Sequence, residues 1–148
     1  SETARQLKKI DDKRILVENK PYYALGGGLI CNGTTPEDIQ SVMNKANVGF
    51  CLDVGHAACS AKAHGFYYID YLKRFLILNP KMFHLTDGDV DNLMDNHRHF
   101  GKGNFDIDLV LSLLPVGSMI TIETNKDSKE NLNDFVKDIK MVKGVKSE

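Results

Sequence analysis

Four short apolar runs, at residues 14–18, 48–53, 81–84 and 118–123, each close on a side chain able to bind a metal, and helix-length segments separate them. The closing residues are Glu18, Asp53, His84 and Glu123. A carboxylate that ends an otherwise apolar strand is costly to bury unless a cation or polar partner meets it. With the two-residue period of a strand, Leu16 shares a face with Glu18, Cys51 with Asp53, Met82 with His84, and Thr121 with Glu123. No hairpin signal joins the runs, and crossovers of ten or more residues are what parallel strands require. The class is therefore α/β with a parallel sheet. In a closed (β/α)8 TIM barrel the inward faces converge at the carboxyl ends of the strands, whereas a doubly wound sheet would spread them apart. Four βα units make half of such a barrel. A single domain over residues 1–148 is then the last part of a longer barrel, one of two self-completing copies, or a chain completed by another.

The intervening segments carry their own signals. Residues 3–9 offer a turn or two of helix with Ala4 and Leu7 inward. Residues 21–34 hold Gly26-Gly27-Gly28 and Gly33, a connection too long for a tight turn and placed where loops cover sites. Thr35-Pro36-Glu37-Asp38 supplies an N-cap, a first-turn proline and acidic residues, predicting a helix over 36–47. Residues 57–65 read as a loop of small residues. Ile69, Leu72, Phe75 and Leu76 place a helix over 66–78, stopped by Asn79-Pro80. Residues 85–104 show no apolar period and many Asp, Asn and His residues, and a connection of that length in a compact chain is a functional candidate. A short helix starts at Asp106 with Ile107, Val110, Leu111 and Leu114 on one face. Ser128 is placed to cap a last helix with Leu132, Phe135, Val136 and Ile139 inward and Gly144 just past its end.

Composition removes several functions. With 148 residues, 42% of them hydrophobic, the chain supports one core. Nineteen basic against twenty acidic residues, net −1, lack the footprint of a dedicated nucleic-acid binder. The three cysteines are odd in number, have no C-x-x-C spacing and follow no signal-like segment, which fits a cytoplasmic setting. No apolar run reaches the roughly 20 residues needed to span a bilayer, so no membrane partner is expected.

Glu18, Asp53, His84 and Glu123 offer a mixed carboxylate and imidazole set, suited to zinc or manganese, with magnesium a further candidate. Singly, each glutamate is as well explained by a lysine partner and His84 by a satisfied core position; four such residues at four strand ends favour a metal site. His56 lies one helical turn beyond Asp53, and the long loop adds Asp95, His97 and His99. Asp87-Gly88-Asp89-Val90-Asp91 opens like a calcium loop, but Asn92 stands where that loop needs glycine and Arg98 where it needs glutamate, which excludes calcium. Gly101-Lys102-Gly103-Asn104 lacks the strand-loop-helix context of a phosphate site and reads as a turn that positions the loop. Nothing indicates an organic cofactor.

Taken in order, Leu16-Val17-Glu18-Asn19, Cys51-Leu52-Asp53-Val54-Gly55-His56, His84-Leu85-Thr86-Asp87, the tract 95–104 and Ile122-Glu123-Thr124 resemble the motifs of the xylose isomerase-like barrel superfamily, which includes sugar isomerases and epimerases and endonuclease IV-type abasic-site nucleases. The resemblance spans essentially the whole chain and implies the carboxyl-terminal half of the barrel. In the isomerase and epimerase branch it implies one divalent metal on Glu18, Asp53, His84 and Glu123, with the glutamates also moving protons and His56 touching a small sugar or sugar-phosphate substrate. In the nuclease branch it implies three zinc ions on Glu18, Asp53, His56, His84, Asp95, His97 and Glu123, with DNA as partner. Two further histidine ligands of that branch belong to strands this chain lacks, whereas the one-metal set is entire. The isomerase or epimerase activity is therefore placed first, the nuclease second, and a catalytically silent assembly module third. A half barrel leaves open sheet edges, so a homo-oligomer or a missing amino-terminal half is expected as partner.

Overall fold

The computed structural model describes residues 1–145. Helix α1 (Glu2–Ile10) leads into β1 (Leu16–Glu18), and a small hairpin of β2 (Tyr23–Ala24) and β3 (Leu29–Ile30) follows. Next come α2 (Pro36–Ala46), β4 (Gly49–Asp53), α3 (Val54–His64), α4 (Tyr68–Leu76) and β5 (Met82–Leu85). After a long loop, α5 (Ile107–Leu113), β6 (Ile120–Ile122) and α6 (Asn133–Val145) complete the described chain. The main sheet has the order β1-β4-β5-β6 with every neighbouring pair parallel.

The register makes the two faces of this sheet unequal. Phe50, Leu52, Phe83 and Leu85, together with the half-buried Val17 and Ile120, pack beneath the helices in one core. Each such large side chain contributes roughly 1.5–3 kcal/mol by leaving water. The residues between them, Leu16, Cys51 and Met82, lie on the opposite face together with Glu18, Asp53 and His84. Here Asp53 stands level with His84, and His84 with Thr121. No helix of the described residues is long and apolar enough to cross a membrane.

Four expectations from the sequence are corrected. Residues 57–65 are no loop: α3 runs directly from the end of β4, and Val54 to Ala61 are all buried. A helix covered on every side needs no polar face and so shows no amphipathic period. Its start is set by Asp53, whose side chain accepts from His56 N at 2.8 Å, so the three-residue spacing of these two residues is that of an N-cap. The connection after β1 contains a hairpin, turned through Gly26 and Gly27 at positive φ. The strands are shorter than the apolar runs: β5 continues one residue past His84, while Glu123 lies just beyond β6.

The last helix departs most. It begins at Asn133, and Ser128 instead accepts from Glu130 N and Asn131 N within a preceding turn. Gly144 lies inside its final turn. Leu132, Val136 and Ile139 are exposed, while Asp138 and Val142 are buried. The exposed stripe borders an open cavity of about 580 Å³ beside β6 that Ile120, Ile122 and Ile139 line. A second open cavity, about 740 Å³, lies against β1 at the other edge of the sheet.

Candidate metal centre

Three consecutive strands and the exit of the fourth bring Glu18, Asp53, His84 and Glu123 to one side of the sheet. His84 Nδ1 is the meeting point: Glu123 Oε1 lies at 2.9 Å, Glu18 Oε2 at 3.7 Å and Asp53 Oδ2 at 3.8 Å. This nitrogen is buried yet makes no properly directed hydrogen bond. Three carboxylates gathered around one imidazole repel each other without a positive charge among them.

Asp53 is 1% exposed. Burial pushes its carboxyl up to about 6 despite the opposing effect of His56. For Glu18 burial also acts upward, but the His56 imidazole, whose Nδ1 lies at 3.1 Å, and the Lys20 ammonium at 2.9 Å outweigh it and hold the group down at about 2. His56 itself is raised: burial opposes its charge, while Glu18 and Asp53 favour it.

His56 and His97 are turned by the same device. His56 Nδ1 donates to the carbonyl of Asn19 at 3.0 Å, and His97 Nδ1 donates to the carbonyl of Glu123 at 2.8 Å. Both acceptors sit at strand exits, and with the proton held on Nδ1 each ring has Nε2 as its unprotonated nitrogen. Asp95 lies beside them, and its buried Oδ2 has no hydrogen-bond partner among the described residues. Among the described residues, three groups have ligating atoms within 4.8 Å of one another: Asp53, His84 and Glu123; Glu18, Asp53 and His56; and His56, Asp95 and His97. Asp53 joins the first group to the second, and His56 the second to the third. The donor set is one of carboxylates and imidazoles, which fits a divalent cation, and the stranded atoms His84 Nδ1 and Asp95 Oδ2 are what such an ion would satisfy.

Several supporting residues carried no role in the sequence. Asn19 is fully buried; its amide donates to Asp53 O at 2.9 Å and accepts from Asp53 N at 2.8 Å, extending the β1–β4 ladder by a side chain. Its position directly after a strand-end glutamate was the available signal. Gly55 is required by close approach, because a Cβ there would fall 2.1 Å from Asp95 Oδ2. Asp87 organises the long loop. Its carboxylate accepts from the amides of Gly88, Gly101, Gly103 and Phe105 at 2.7–3.3 Å. The amides of Gly101 and Gly103 therefore grip a carboxylate of the same chain, and that turn positions the loop. A Cβ on Gly103 would lie 2.2 Å from Asp87 Oδ1.

Known proteins agree with this architecture. The family model of the xylose isomerase-like TIM barrel matches residues 2–144, and the chain belongs to that family. Its four-stranded parallel sheet is accordingly part of a (β/α)8 barrel. The crystal structure of a D-tagatose 3-epimerase-like protein superposes with a TM-score of 0.63 at 24% identity, over 89% of this chain and 46% of the other. At that identity the likeness is one of fold, and the chain spans about half the length of that neighbour. No curated protein matches the chain.

Proposed function

We propose that the chain contributes the metal-binding half of a divalent-metal-dependent isomerase or epimerase acting on a small sugar or sugar phosphate. The observation that carries this is His84 Nδ1, buried and unbonded with carboxylate oxygens of Glu18, Asp53 and Glu123 within 3.8 Å. Those four residues would hold one ion, zinc or manganese by donor type, with magnesium a weaker match. Such an ion supplies Lewis acidity toward a hydroxy-carbonyl group. The residues divide the remaining work. Glu18 and Glu123, which close the two outer strands of the sheet, are the carboxylates that can share the transfer of a carbon-bound proton. His56, with Nδ1 fixed on Asn19, presents Nε2 to a substrate hydroxyl.

A second reading, an abasic-site nuclease, is favoured by the grouping of His56, Asp95 and His97, which would hold further zinc. The net charge of −1 argues against DNA as the natural partner. Open cavities at both sheet edges support completion of the barrel by a second copy or by an amino-terminal half. The test is metal content by mass spectrometry, alongside assays for ketose epimerisation and abasic-site cleavage on the completed assembly. One ion per chain with sugar turnover is expected. Two or three zinc ions with DNA cleavage would transfer the assignment to the nuclease, and an ion without either activity would leave an assembly module.

A further inference from the structure

Asp138 stands on α6, outside every group described above, and is 2% exposed. It lies three residues after Phe135 and four before Val142, so one helix face carries an acid between two apolar side chains. A buried carboxylate is tolerated only where donors meet it. Among the described residues Asp138 has three, on other segments: Thr124 Oγ1 at 2.6 Å, His99 Nδ1 at 2.7 Å and Phe100 N at 3.3 Å. Thr124 directly follows Glu123, and His99 and Phe100 come two and three residues after His97. The segments carrying two candidate ligands thus end on one carboxylate.

Further bonds bridge the same two segments. Asn125 N donates to His97 O at 2.7 Å, Asn125 Nδ2 to Asn96 O at 2.8 Å, and His97 Nδ1 to Glu123 O at 2.8 Å. The last of these leaves the proton of His97 on Nδ1 and Nε2 without one, because a carbonyl can only accept and the Nδ1 proton is thereby committed.

We infer that Asp138 is a positioning residue for this site: by gathering Thr124, His99 and Phe100 on one buried carboxylate, it keeps the Glu123 carbonyl in reach of His97 and so fixes which ring nitrogen His97 offers. A carboxylate that merely fastened α6 to the sheet would leave the His97 tautomer alone. The two roles therefore separate in nitrogen-15 spectra of the imidazoles, recorded at alkaline pH where the rings are neutral. In the unaltered protein His97 carries its proton on Nδ1. In folded Asp138→Ala it shifts toward the Nε2-protonated form usual for a free side chain. Asp138→Asn, which keeps an acceptor for Thr124 Oγ1, shifts it less. Thr124→Val removes one of the three bonds and keeps the carboxylate, and it stands in if Asp138→Ala does not fold.

Zinc titration gives a second readout, which rests on the second reading above, in which His56, Asp95 and His97 hold a further ion. Affinity of the ion held with His97 should fall by about tenfold or more in Asp138→Ala, the scale on which outer partners of metal ligands act. If the unaltered protein binds no ion beyond the one on Glu18, Asp53, His84 and Glu123, that second reading fails and the tautomer alone decides the role of Asp138. A folded Asp138→Ala or Thr124→Val with His97 still protonated on Nδ1 overturns the inference.

Discussion

The two faces of the main sheet are built from alternate residues of the same strands and have opposite chemistry. On one, Phe50, Leu52, Phe83 and Leu85 are each at most 2% exposed beneath the helices. On the other, Glu18, Asp53 and His84 crowd together above Leu16, Cys51 and Met82, and Met119 at the foot of β6 is 64% exposed. The first face supplies the apolar burial that offsets chain entropy; the second spends stability on charges held close together. A protein that must keep three carboxylates near one imidazole needs a sheet anchored entirely from behind.

The contrast has measurable consequences. Phe83→Ala should destabilise by about 3–5 kcal/mol in chemical denaturation, the cost of a large core cavity. A smaller loss would mean that the helix-covered face is not the anchor. Next in size is the ligand effect on the open face. Zinc at 100 times its dissociation constant should stabilise by about 2.7 kcal/mol, EDTA should reverse this, and His84→Ala should abolish the thermal shift. A shift that survives in His84→Ala would move the ion elsewhere.

The covered side should respond to pH only far above neutrality. Burial pushes the Tyr71 hydroxyl, which donates to Thr34 O at 3.0 Å, up to about 12. An unfolded tyrosine loses its proton near 10, so the stabilisation is complete below that pH and is lost as pH rises from 10 through 12. The loss is at most roughly 2.7 kcal/mol, checked by denaturation together with tyrosinate absorbance, and Tyr71→Phe should remove this slope.

Gly55→Ala should cost about 1–3 kcal/mol by forcing Asp95 aside, with changed loop amide shifts in NMR. Equal spectra for the two proteins would show that Asp95 has room to spare. Smallest is Met119→Ala on the uncovered face, within about 0.5 kcal/mol in the isolated chain. A larger loss there would reveal a contact that covers Met119, and light scattering would show whether a second copy provides it.

Much of this was legible in residue order. The parallel α/β class followed from apolar runs separated by helix-length segments, and the convergence of Glu18, Asp53, His84 and Glu123 from their common place at strand exits. Helix α2 announced itself through Thr35 and Pro36, which act locally and need no tertiary partner. Helix α3 was hidden for the opposite reason. Ala57, Ala58, Cys59 and Ser60 are small because neighbours press on every side, and a sequence period records only the difference between a wet side and a dry one.

What tertiary structure alone decided is the set of long-range bonds around the site. No spacing in the chain tells that Asn19 would pair with the backbone of Asp53 34 residues away, or that the amides at Gly101 and Gly103 would close on Asp87. The rotation of α6 belongs here too. Its apolar stripe of Leu132, Val136 and Ile139 points by pattern to the core, yet the fold turns Asp138 inward. A carboxylate with three donors waiting on two other segments is held more firmly than an apolar stripe that finds only an open sheet edge, and those donors exist only once β6 and the long loop have come together.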